Sequence, residues 1–435
     1  MLTNAAKPLV KLVDRYLPDP YIFVLILSLI VMIAAVLFEQ KSPIEVIEYW
    51  GQGFWGLLTF SMQMLLVLIV GFILASSPLI KKGLNYIATL PESASQAIIL
   101  VTFVSLLASW INWGFGLVVG ALLAKAIARK VKVDYRLLIA SVYSGFLVWH
   151  GGLSGSIPLT IATPGNFSEA SIGLISTSET IFSGFNLALV GILFIVVPLV
   201  NRWMLPKAED SFYIDENKIL EDVNKTFDAT RPAERLENSR LLAYLIGFCG
   251  LIYLGYYFFH GGGINLNIIN FLFLTFAIIL HKTPRSFLNS LNEAVKSGGG
   301  IIIQFPFYAG IMAIMTQSGL AVSISQGFVA IANADTLPFW SFLSAGVVNM
   351  FVPSGGGQWA VQAPVVLPAA KLLNADVARV AMGVAWGDAW TNMIQPFWAL
   401  PILAIAGLKA KDIMGFCLMQ LMISGVIISI ALTWF

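Results

Sequence analysis

From Tyr21 to Phe38 the chain runs for 18 residues without one charged side chain. A run of that length matches the hydrocarbon core of a bilayer, where a backbone can satisfy its own amides only as a helix or a closed barrel. Further runs of the same character, at roughly 59–80, 180–203, 241–259, 265–281, 299–318 and 412–433, predict an all-α polytopic membrane protein. Composition agrees where it bears on solvent: 11% of residues are charged, against about 25% in a soluble domain, and mean hydropathy is +0.84.

The charges that remain cluster between the apolar runs, at Lys7, Lys11 and Arg15, at Lys81 and Lys82, from Lys125 to Arg136, and at Lys409 and Lys411. They read as orientation signals rather than a phosphate-binding stripe, so no nucleic-acid partner is expected. They place the N-terminus in the cytoplasm, with Lys371 and Arg379 as exceptions on the outer side. Lys7 to Pro20 reads as an amphipathic prelude to the first span, without a signal-peptide cleavage site. Cys249 and Cys417 lie in apolar segments and suggest neither a disulfide nor a metal site.

Two apolar segments in each half are interrupted. Segments 95–131 and 338–371 are too long for one span and break at Asn112-Trp113-Gly114-Phe115-Gly116 and at Pro353-Ser354-Gly355-Gly356-Gly357-Gln358. They read as re-entrant helical hairpins. Segments 136–164 and 377–407 read as discontinuous helices, broken at Trp149-His150-Gly151-Gly152-Leu153-Ser154-Gly155-Ser156 and at Trp386-Gly387-Asp388-Ala389-Trp390-Thr391-Asn392.

The interruptions recur in register. Lys41-Ser42-Pro43 returns as Lys282-Thr283-Pro284 (282 − 41 = 241), Gln63 as Gln304 (304 − 63 = 241), Asn112 as Asn349 and Trp149 as Trp386 (349 − 112 = 386 − 149 = 237). A shift that stays near 240 marks an internal repeat. Residues 1–203 form a first repeat, 204–240 a cytoplasmic linking loop, 241–259 an extra span that inverts the chain, and 260–435 a second repeat of opposite topology.

Backbone that leaves the helix inside lipid costs several kcal/mol per unsatisfied group, so breaks at matching places point to a binding site near the midplane. Candidate substrate-binding residues are Asn112, Gly114, Gly116, Ser154, Ser156, Asn349, Ser354, Gly355, Gly356, Gly357 and Gln358. Free amides at half-helix starts suit a carboxylate. Asn112 and Asn349 either cap the breaks or bind ligand. Asp388 is the one carboxylate placed deep in a span, at a cost of at least about 2.5 kcal/mol if charged. It either caps a half-helix or serves the coupling ion, binding Na⁺ with Thr391 and Asn392 or exchanging a proton. His150 aligns beside it, as a relay or as a packed imidazole. The neighbouring aromatic residues either wall an acyl pocket or anchor the interface.

The stretches 111–120, Ala162-Thr163-Pro164-Gly165-Asn166, 351–357 and Gln395-Pro396-Phe397-Trp398-Ala399-Leu400-Pro401, with Leu17-Pro18-Asp19-Pro20 at the start, resemble the AtoE short-chain fatty acid transporter family along the whole chain. The resemblance implies uptake of butyrate or acetoacetate, an elevator-type scaffold of the broad ion-transporter superfamily, and a homodimer in the bacterial inner membrane. The tips differ from the Ser-Asn-Thr pattern of related Na⁺-coupled sites, which leaves H⁺ and Na⁺ both open. No cofactor beyond Na⁺ is expected. Two other readings compete: a passive channel for carboxylates, and an intramembrane enzyme built on Ser154 with His150. No nucleophile motif accompanies the enzyme reading, and no Gly-x-x-x-x-Gly-Lys-Ser/Thr loop is present, so transport is expected to be secondary rather than ATP-driven.

Overall fold

The computed structural model describes residues 20–214, 231–395 and 397–434. Lys7, Lys11, Arg15, the Leu17-Pro18-Asp19 start, the middle of the linking loop and Pro396 lie outside the described residues.

Helix α1 (Pro20–Phe38) is the first span. Ser42 then starts α2 (Pro43–Gly53) with a capping box: its hydroxyl accepts from the Glu45 amide at 3.2 Å, while the Glu45 carboxylate accepts from the Ser42 amide at 2.8 Å. Span α3 (Leu58–Ala75) leads to the amphipathic α4 (Pro78–Ile87). Helices α5 (Ala94–Ile111) and α6 (Trp113–Ala128) pack against each other and join at Asn112 alone. Helix α7 (Tyr135–Ser144) tightens into a 3₁₀ stretch, Gly145–Gly151, and resumes as α8 (Ser156–Ile161). Spans α9 (Gly184–Trp203) and α10 (Arg240–Phe259) flank the linking loop.

The second half runs α11 (Leu266–His281), α12 (Pro284–Val295, capped by Thr283), α13 (Gly299–Ser318) and α14 (Leu320–Ile331). Then come α15 (Leu337–Val348), α16 (Gly355–Leu373), α17 (Val377–Thr391), α18 (Leu400–Ala406) and α19 (Ala410–Trp434). Among the described residues eight helices are long and apolar enough to cross a bilayer, and no strand occurs. The predicted spans recur as helices within a few residues, although α11, at 16 residues, is shorter than the eight, and the eight include α5 and the broken Tyr135–Ile161 segment; the short helices α2, α4, α12 and α14 do not stand out as apolar runs of span length.

One break is displaced from its predicted place. The sequence reading puts an interruption at 386–392, but α17 is helical through Thr391 and the chain leaves the helix only after it, before a 3₁₀ turn at Phe397–Ala399. Gly387 is a close-contact position, not a break: a Cβ there would strike the Phe342 carbonyl.

Burial ranks the helices. Only 22% of the apolar window is buried in α1 and in the span that contains α10, against 94% for Tyr135–Ile161. The broken helix is therefore the centre of the molecule, and the largest fully buried side chains, Trp149, Trp359 and Trp386, gather around it.

Candidate functional site

The 3₁₀ stretch leaves carbonyls without helical partners, and two neighbours supply them. Gly151 O accepts from Trp110 Nε1 at 3.1 Å and from Asn186 Nδ2 at 2.9 Å, and Trp110 O accepts from the Leu153 amide at 2.7 Å. This is how an unwound segment survives away from water. Asn186 also accepts from Trp386 Nε1 at 3.1 Å, so one carboxamide ties the broken helix to α17.

Held this way, His150 meets the last turn of α17. His150 Nε2 lies 3.0 Å from Asp388 Oδ2, both side chains fully buried. The other carboxylate oxygen accepts from Asn392 Nδ2 at 2.8 Å. Asn349, on the link between α15 and α16, donates to Asp388 O at 3.0 Å and to Thr391 Oγ1 at 2.9 Å. Thr391 donates in turn to Gly387 O at 3.1 Å. Tyr143 donates to Asn392 O at 2.6 Å. Asn349 Oδ1, Asn392 Oδ1 and His150 Nδ1 are buried without a hydrogen-bond partner. Such orphans are costly unless a ligand completes them.

The second tip reaches this pair. Ser354 caps α16 by accepting from the Gly357 amide at 3.3 Å, and Gly355 abuts the rings of His150 and Trp149. Gly356 faces Phe60 and Met64, and Gly357 faces Tyr308. The first amides of α16, at Gly355 and Gly356, have no acceptor within their helix. Gln358 turns toward α15, donating to Ala345 O and Gln362 Oε1, both at 2.8 Å.

The first tip sits one aromatic layer away. Asn112 caps α6 by accepting from the Phe115 amide at 2.8 Å and donates to Val67 O at 3.4 Å. Ser154 accepts from the Trp113 amide at 2.9 Å. Gly114 and Gly116 allow close approach to the backbone of Leu68 and Ser109. Ser156 is buried at the start of α8. Trp113 and Trp149 lie edge to face, centroids 5.9 Å apart, and join this tip to His150.

His150, Asp388, Asn349, Thr391, Asn392 and Gly355 thus form one cluster, while Asn112 and Ser154 form a second beside it. Trp110, Tyr143, Asn186 and Phe60 escaped the sequence reading. Asn186 alone gave a signal, as an amide within an otherwise apolar span.

A fully buried carboxylate–imidazole pair inside a multi-helix apolar chain is the kind of feature a membrane transporter carries. Comparisons with known proteins say which kind. A family model described as short chain fatty acid transporter matches residues 1–435. An Escherichia coli (strain K12) protein with the provisional name short-chain fatty acid transporter is 46% identical over 440 residues, covering 100% of both chains. A Haemophilus influenzae protein of the same provisional name is 43% identical, covering 99% of both. The crystal structure of the Alcanivorax borkumensis YdaH transporter, reported to have an unusual topology, matches with a TM-score of 0.60 at 16% identity, over 96% of this chain and 97% of that one, and so shares the fold. The chain belongs to the short-chain fatty acid transporter family. It is a multi-pass membrane transporter and not an enzyme.

Proposed function

We propose that the protein is a secondary active transporter that takes up small monocarboxylates such as butyrate or acetoacetate, driven by H⁺ or Na⁺. The observation that carries this reading is the fully buried His150–Asp388 contact beneath the free amides of α16. The amides offer a partial positive charge to a carboxylate. Asp388 offers a buried negative charge that a proton or a cation neutralises. The orphaned oxygens of Asn349 and Asn392, with Asp388 Oδ1 and Thr391 beside them, are hard oxygen donors of the type that suits Na⁺.

Zero exposure of His150 and Asp388 favours alternating access over an open pore. The recurring order of helices supports two inverted repeats: α1 to α9 (a span, an amphipathic helix, a span, a short helix, a helix pair, a broken helix and a final span) resembles α11 to α19, with α10 as the linking span. On this reading the two helix pairs are re-entrant hairpins that move with the broken helices as the transport domain of an elevator, within a homodimer in the inner membrane with its N-terminus cytoplasmic. Purified protein in liposomes, given labelled butyrate, acetoacetate or a dicarboxylate under an imposed Na⁺ or proton gradient, tests substrate and ion together. Butyrate accumulates under one gradient; equilibration without accumulation would establish a passive facilitator instead.

A further inference from the structure

One ring away from the glycine run of α16 lies a cavity of about 270 Å³ whose lining carries no charged side chain. Thr59, Gln63, Thr163 and Asn166 line it together with the faces of Phe60 and Phe167. Thr163 donates to Leu159 O at 2.6 Å and accepts from the Leu266 amide at 3.0 Å, which fixes the loop after α8 to the start of α11. Gln63 donates to Asn267 Oδ1 at 2.8 Å and Asn166 to Thr163 O at 2.9 Å. Each carboxamide retains a second N–H for a ligand.

Phe60 faces both spaces. Its ring packs 5.5 Å from Phe167 and 5.7 Å from Phe305, and its Cζ stands 2.7 Å from the place a Cβ on Gly356 would take.

We propose that this cavity is an access site where a short-chain carboxylate waits, and that Phe60 is the gate between it and Gly355–Gly357. The proposal rests on the carboxylate reading above and adds a second site and a route. The volume lies just under the roughly 300–1,000 Å³ of ordinary ligand pockets, so it admits a small acid and refuses a long acyl chain. Neutral donors hold the carboxylate weakly enough to release it onward, as conduction through successive sites requires. The apolar part of the acid rests on Phe60 and Phe167. Passage then needs the Phe60 ring to swing, because that ring lines the cavity on one side and, with Met64 beside it, stands against Gly356 on the other.

The test uses full-length protein in liposomes with Cys249 and Cys417 replaced by serine and alanine. A reporter cysteine at the cavity wall that removes neither carboxamide, Pro164→Cys, is reacted with a charged thiosulfonate in butyrate or in gluconate, a bulky carboxylate of equal charge. Butyrate slows the reaction several-fold and gluconate does not. A second reporter beyond the ring, Tyr308→Cys, reacts several-fold faster once Phe60→Ala is added. Gln304→Cys replaces it if Tyr308→Cys does not fold. Equal rates in butyrate and gluconate, or a second reporter indifferent to Phe60→Ala, overturns the proposal. Butyrate uptake by the unsubstituted protein is measured alongside: uptake without protection removes the access site alone, whereas absence of uptake removes the functional reading beneath it.

Discussion

Gly355 and His150 touch so closely that neither can change alone: a Cβ on Gly355 would stand 2.6 Å from His150 Cε1, nearer still to Nε2, and 2.7 Å from Trp149 Cη2. The start of α16 therefore bears directly on the imidazole that meets Asp388.

Gly355→Ala should push the imidazole off Asp388. Uptake is expected to fall by roughly tenfold or more, the factor that about 1.4 kcal/mol carries, with the protein still folded in detergent. Gly255→Ala is the control, since nothing lies within 4 Å of a Cβ there. Equal uptake by both variants would detach α16 from the pair.

Asp388→Asn keeps the size of the side chain and removes the charge. Ion-driven uptake should be lost while the protein remains in the membrane, and counterflow exchange of substrate should survive better than accumulation. His150→Gln is expected to have a smaller effect alone and little further effect on top of Asp388→Asn, because both substitutions break one contact. Wild-type accumulation in Asp388→Asn would remove the carboxylate from coupling.

Gly356→Val places branched carbons where Phe60 Cζ already stands 2.7 Å from the Cβ position. Loss of butyrate binding is expected together with a destabilisation of about 1–3 kcal/mol from overpacking, measured by radioligand binding alongside a melting curve. Unchanged affinity would make the glycine run a packing device only.

Asn186→Leu is expected to lower stability by about 1–3 kcal/mol, the cost of leaving a buried polar group unpaired. The bonds at stake run to Gly151 O, Ile181 O and Trp386 Nε1. A melting temperature equal to that of the unsubstituted protein would show that the 3₁₀ stretch holds itself.

Apolar length and special residues made most of the architecture legible. Long runs gave the spans, Asn112 marked the first helix junction, and Ser354 before three glycines marked the second. The short helices α2, α4 and α12 were missed because amphipathic segments do not register as apolar runs. The displaced break in the second half shows that polar and small residues at 387–392 look like an interruption when tertiary contacts in fact absorb them. Asp388 and His150 could be nominated from rarity in lipid, and their meeting was suggested by the repeat offset. Tyr143 and Phe60 could not be found, since a tyrosine and a phenylalanine within apolar helices carry no local mark of what they touch.

Trp149 is the meeting point described above: its indole lies beside Trp113 of the first tip, stacks on Phe146, and touches Gly355 of the second. A substitution at either tip would be felt by its counterpart through a single shared ring, so the fit of one half is set jointly with that of the other.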